Sequence, residues 1–213
     1  SAALDIERIA ALKPDVVLGC LSGNPPGEIA SLERLGMKVL VIEPGSLEII
    51  ADQIALLGRL AGSERTADVA AAQFRRDVDA LRHDYRGHRP VSVFYQVWNA
   101  PLMTVNSRQV ISEVIDLCGG KNIFAGLQTL VPTVSVEAVL AADPEAIFTG
   151  SEQDATRALD NWLKWKQLRA VRSGNLLVIP PDDISRPTPR LLNGARRLCM
   201  QLDHIRHTAT SAP

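Results

Sequence analysis

Few residues in this chain have the types and spacing that do chemistry, and each group narrows what that chemistry can be. Asp182 and Asp183 stand side by side in "PPDDISRPTPR", the residue types of an acid pair. Adjacent acids on a loop also make an ordinary solvated turn, and nothing else in the stretch builds an acid site. The cysteines, Cys20, Cys118 and Cys199, form none of the close pairs used by zinc or redox motifs. Spacing alone reads them as buried thiols. Of the histidines, His83, His88, His204 and His207, the last two are three apart, but they lie in a polar C-terminal stretch expected to fray. There is no GxGxxG, no phosphate-loop lysine and no G-x-S-x-G elbow. The sequence therefore shows no catalytic signature, and no metal or cofactor is expected.

Aromatic residues make up only 4% of the chain, so where they fall is informative. Tyr95 and Trp98 lie at a strand end and in the loop beyond it, where rings either line a ligand cleft or pack a core. Both roles stay open for them. Trp162 and Trp165, three apart in "DNWLKWKQL", are expected on one helix face as packing residues.

The elements that must hold these residues are written twice. "IERIAALKPDVV" from Ile6 returns as "VEAVLAADPEAI" from Val136. In the first copy Asp5 caps a helix, Ile6, Ile9 and Leu12 follow at helical spacing, and Lys13-Pro14 stops it before the strand "DVVLGC". In the second, Ser135 caps, Val136, Val139 and Leu140 form the apolar face, and Asp143-Pro144 stops it before "EAIFTG". "LGMKVLVIEP" and "SGNLLVIPPD" supply a further matching strand, each with a helix after it. The alternation implies parallel strands with right-handed crossovers, hence an α/β fold of two similar lobes. Between them Ser63 to Gly87 reads as one long helix with Val69, Ala70, Phe74, Val78 and Leu81 as its apolar stripe. This divides the chain into a first lobe at 1–62, a connecting spine helix at 63–87 and a second lobe at 88–213.

Ligands in open α/β sheets bind beyond the carboxyl ends of the strands. That rule nominates the loops at 20–28, 95–101, 149–154 and 180–190. With 213 residues, 46% hydrophobic, and a net charge of -1, the chain has the makings of a real core and no basic surplus for nucleic acid. No apolar run approaches the roughly 20 residues that span a bilayer. Asp5 and Glu7 stand where a secretory leader would be basic and then apolar, so any leader is expected to have been removed already.

The order of these motifs resembles a known family. "IERIAALKPDVVLG", the long helix, "VISEVIDLCGGKNIF", "VSVEAVLAADPEAIF" and "TPRLLNGARRLC" are similar to periplasmic solute-binding proteins that serve cobalamin, haem and ferric-siderophore ABC importers. The likeness runs from residue 4 to residue 205, and the motifs run most like the vitamin B12-binding members. It implies two α/β lobes joined by a rigid helix with a large metal chelate held between them, an ABC permease as partner, a periplasmic or other extracytoplasmic location, and no catalysis. The resemblance also implies a disulfide between Cys118 and Cys199, leaving Cys20 out of it.

On the same resemblance, ligand contacts are expected from Asn24 in the first lobe and from Tyr95, Trp98, Asn99, Asp183 and Arg186 in the second, with Tyr95 the candidate for haem iron. Glu28 and Asp182 are expected to dock the permease. The pattern departs from the family in three ways. A further strand, helix and binding loop normally precede the point where this chain starts, so the first lobe is expected to be incomplete. Cys20, Val131 and Asp183 stand where cobalamin binders carry rings. Ser185 stands at the second docking position. Two other classes compete: a ligand-sensing receptor domain of the same fold, and a doubly wound α/β enzyme using Asp182 or Asp183 as an acid.

Overall fold

The computed structural model describes residues 4–20, 24–42, 45–150 and 155–210. They form two compact units, Ser1–Pro44 and Gly45–Pro213. In the first, α1 (Ile6–Ala11), β1 (Val17–Cys20), α2 (Pro26–Arg34) and β2 (Val39–Ile42) follow in order, and β1 and β2 pair in parallel with Val17 opposite Val39. Ile29 and Leu32 of α2 are buried, whereas no residue of α1 is. The apolar spacing of Ile6, Ile9 and Leu12 thus makes a helix without making a buried face.

The second unit opens with α3 (Leu47–Leu60) and α4 (Glu64–Tyr85). They pack so closely that a Cβ on Gly58 would overlap that of Ala67. The long helix runs where the sequence places it, and its positive-φ Gly87 (φ 78°) follows. Its buried stripe is Ala67, Ala71, Phe74, Val78 and Leu81. This corrects two positions: Val69 and Ala70 are exposed, because a 4-3-4-3 spacing through Phe74 turns both of them away.

Then come β3 (Val91–Gln96), a hairpin of β4 (Trp98–Asn99) and β5 (Leu102–Met103), α5 (Val110–Leu117), β6 (Gly120–Asn122), α6 (Val136–Ala142), β7 (Ala146–Thr149), α7 (Ala155–Asp160), α8 (Arg169–Arg172), β8 (Leu176–Val178), α9 (Pro181–Ile184) and α10 (Leu191–Thr210). The sheet is parallel, in the order β6-β3-β7-β8. Alternate residues serve opposite faces: Val91, Val93, Tyr95 and Phe148 join the core with α5 and α10, while Phe94 and Ile147 join Val139, Trp162 and Leu168. Each fully buried Phe or Ile on such a sheet stabilises by about 1.5 to 3 kcal/mol.

The two copies of the repeat share their endings. Asp5 accepts from the N–H of Arg8 and Ser135 from that of Ala138. The residue before each proline is left-handed, Lys13 at φ 47° and Asp143 at φ 40°. Arg169 holds the second of these: its backbone N–H and its Nε donate to the Asp143 carboxylate at 2.8 and 3.0 Å.

Glu145, two residues after Asp143, stitches the sheet. Its carboxylate accepts from the Ser92 N–H at 3.0 Å and from Arg89 at 2.8 Å. Burial pushes this carboxyl up, but the Ser92 N–H, Arg89 and Arg169 outweigh it and hold it below the ordinary glutamate value of 4.5. A lowered folded value means stabilisation that is full above pH 4.5 and is lost as pH falls through the folded value. Glu145→Gln is therefore expected to cost about 1.5 to 3 kcal/mol at pH 7. In urea melts the gap from wild type should narrow steadily below pH 4.5; a gap independent of pH would refute this role for the charge.

The C-terminus differs from expectation. α10 is helical to Thr210, and Ile205 and Arg206 are buried along it. His204 and His207 face solvent on the other side of the same helix.

Candidate functional site

The candidate residues of the second unit gather at the carboxyl edge of its sheet, and the hairpin is the part that the sequence did not announce. "WNAPLM" folds back on itself with Trp98 opposite Met103 and Asn99 opposite Leu102, around a cis Ala100–Pro101 peptide. Leu102 accepts from the N–H of Val134, and Thr104 Oγ1 donates to the Tyr95 carbonyl at 2.7 Å, which fixes the hairpin to its sheet. Trp98 is left 46% exposed, with its Nε1 donating to Ala100 O. A large ring standing in solvent on a braced hairpin is a ready contact surface.

Tyr95 is a correction. It is 3% exposed and stacks on Phe148 at 4.6 Å between centroids. Burial pushes its phenol up to about 12, against a smaller pull from its bond with Ser185. A neutral, buried phenol does not reach a ligand or an iron centre from here. Its work is structural: Ser185 Oγ donates to Gly150 O at 2.6 Å, so Tyr95, Gly150 and Ser185 tie the ends of β3 and β7 to the turn that closes α9.

Beyond β8, Pro181 opens the short helix α9 and presents Asp182 and Asp183. Asp182 is exposed; Asp183 is half-buried and lies 3.6 Å from Arg197 of α10. Arg186 is exposed on the turn that follows. Gly194 sets the seat of this loop, because a Cβ there would strike the Asp183 carbonyl. Of the two acids, Asp183 has a cation for a partner, the Arg197 guanidinium.

In the first unit, Asn24 closes the loop after β1. Its Oδ1 accepts from the Cys20 N–H and its own N–H donates to Cys20 O, both at 2.8 Å. Glu28 sits in the first turn of α2, where it accepts from the Leu4 N–H at 3.3 Å. Residues 21–23 and 151–154 of two candidate loops lie outside the described residues.

Trp162 and Trp165 do not share a helix face. They occupy a chain of tight turns after α7, bonded Trp162 N–H to Leu159 O and Trp165 N–H to Trp162 O. Trp162 is buried with its Nε1 on Gln96 Oε1 at 2.7 Å, and Trp165 is half-buried beside Lys164. Among the described residues no cluster of three or more metal-ligating side chains exists, and no helix is long and apolar enough to cross a membrane.

Sulfur chemistry settles one expectation outright. Cys118 and Cys199 form a disulfide, with 4.5 Å between their Cα atoms.

Residues 2–182 match the model of the family described as periplasmic binding protein. The chain belongs to the periplasmic binding protein family. Among the members it matches, the vitamin B12-binding protein of Vibrio cholerae serotype O1 is 36% identical over 200 residues, covering 93% of this chain and 72% of the relative. That of Vibrio parahaemolyticus is 34% identical over 204 residues, 95% and 74% of the two. The solved periplasmic vitamin B12-binding protein of Vibrio cholerae superposes with a TM-score of 0.85, over 95% of this chain and 79% of that one. A periplasmic haem-binding protein of Roseiflexus sp. RS-1 gives a TM-score of 0.83 at 20% identity over 95% of this chain and 81% of that one, which shows a shared fold. These family members are binding proteins, and the α/β architecture with its parallel sheet is theirs.

Proposed function

We propose that this chain is the substrate-binding component of an ABC importer, which binds a large metal chelate of the corrinoid, haem or ferric-siderophore kind outside the cytoplasm and hands it to a permease. What carries the reading is the match to vitamin B12-binding relatives across nearly the whole chain. The exposed Trp98 on its hairpin, at the edge where α/β folds bind ligands, agrees with it. Mechanism here is binding and hand-over, with no covalent step.

Trp98 and Asn99 then contact the chelate from the second unit, with Asp183 and Arg186 on the neighbouring loop, and Asn24 contributes from the first. Arg186 suits carboxylates or phosphates through its planar fork. Glu28 and Asp182 serve docking, where charge steers encounter more than it adds affinity. We keep 1–62 and 88–213 as the functional lobes, with 63–87 connecting them. Tyr95 leaves the contact set for the reason of burial given above.

Separate titrations with cyanocobalamin, haemin and a ferric siderophore, followed by tryptophan fluorescence and visible absorbance, test this. Saturable binding of one chelate is expected, weakened at least tenfold (about 1.4 kcal/mol) by Trp98→Ala, while Tyr95→Phe leaves the visible spectrum of any bound haem unchanged. Silence toward all three chelates would overturn the reading.

A further inference from the structure

Beside the hairpin lies a pocket of about 270 Å³, and its lining has a definite chemical sense. Leu102, Trp162 and Trp165 give it apolar, partly flat walls, and Asn99, Asn161 and Lys164 stand at its polar side. The walls are fixed. Leu102 is held in the hairpin, and Trp162 is pinned by its bond to Gln96.

The polar side is not saturated. Asn161 Nδ2 donates to Asn99 Oδ1 at 3.3 Å, and among the described residues the Asn99 Nδ2 donor meets no acceptor. Lys164 likewise has no carboxylate in ion-pair range among the described residues; its ammonium lies 5.6 Å from the centre of the Trp165 ring. An amide donor and an ammonium beside flat apolar walls match a flat group that ends in an anionic acceptor. The volume admits roughly a dozen heavy atoms, below the usual size of drug-sized sites.

We propose that this pocket binds a planar, carboxylate-bearing group, with Lys164 and Asn99 on the carboxylate and Trp165 along the flat face. The group is either a free aromatic acid or the acidic arm of a chelate held at the hairpin, since Asn99 belongs to both places. Neither the fold nor its chelate function requires the pocket to have this charge.

The test uses 1-naphthoate against its neutral counterpart 1-naphthamide, titrated into the intact chain. The readout is the indole N–H resonance of Trp165, identified by its loss in Trp165→Leu. Naphthoate should bind saturably and at least tenfold more tightly than the amide. Lys164→Met should erase that preference while leaving the protein's melting temperature unmoved, because Lys164 is exposed and has no ion pair among the described residues. Equal binding of acid and amide, a preference that survives Lys164→Met, or no saturation by millimolar naphthoate would each overturn the proposal. Adding saturating haemin, whose two propionates are acidic arms, separates the sources. Displacement of naphthoate assigns the pocket to the chelate's acidic arm, and retention assigns it to a free acid.

Discussion

Replacing Cys118 and Cys199 together by serine is expected to lower stability by about 4 to 5 kcal/mol, and the melting temperature by roughly 8 to 20 °C. The bridge joins the C-terminal end of α5 to the middle of α10 across 81 residues of chain, and both sulfurs are wholly buried. Without it the unfolded chain regains the freedom of a loop holding β6, α6, β7, α7, α8, β8 and α9, which is most of the sheet and all of α9. Placement makes the prediction selective. Cys118 lies just before β6, at the end of the sheet opposite the hairpin and α9, so chelate affinity well below the melting point should be unchanged. Thermal melts of the double serine variant, and of wild type with and without reductant, check the first part; a titration at 20 °C checks the second. A variant that melts with wild type, or one that is stable but cannot bind, would show that the bridge does something else.

The bridge was legible only through the family likeness. Counting cysteines left three buried thiols, because a separation of 81 residues carries no geometric signal until α5 and α10 are known to be neighbours. The repeat was legible from residues alone: Asp5 and Ser135 cap, Lys13-Pro14 and Asp143-Pro144 stop, and the strands after them pair in parallel as the alternation requires. These features are local, and local features survive into the structure.

What failed is long-range. Tyr95 sits at a strand end as read, but whether that end opens to solvent depends on Phe148 and Ser185, more than 50 residues away. The hairpin was unseen because strands of two residues leave no period to detect. The stretch holding Asn161 and Lys164 was read for its tryptophans, as a helix, where the structure has a series of turns, and only the fold brings these two polar residues to the pocket of Asn99. The end of α10 was read as frayed for the same reason. Its composition is polar, yet one of those polar residues is buried and bonded to three backbone carbonyls.

That residue is Arg206, and replacing it by Met is expected to cost about 3 to 5 kcal/mol. Its guanidinium is buried, and it donates to Arg89 O at 2.8 Å, Cys118 O at 2.6 Å and Gly119 O at 2.9 Å, with Asp203 at 3.4 Å as counter-charge. The carbonyls belong to the turns that enter β3 and β6, and Gly119 O also accepts from the Val91 N–H at 3.2 Å, so one side chain ties both turns together. Gly119 is part of the arrangement. It is left-handed at φ 66°, and a Cβ on it would come within 2.7 Å of the guanidinium. Met fills the volume but takes the guanidinium donors from the Arg89 and Cys118 carbonyls and leaves Gly119 O with the Val91 N–H alone, whereas Arg206→Lys keeps the charge and cannot span carbonyls arranged for a planar fork. Lys should therefore recover only part of the loss. Since Cys118 supplies both a carbonyl to Arg206 and a sulfur to the bridge, the two perturbations should not add. A double-mutant cycle in urea should give a coupling of about 1 kcal/mol or more. If Arg206→Met lay within about 1 kcal/mol of wild type, or if Lys replaced Arg in full, the base of the unit would be held by the disulfide and its apolar core alone.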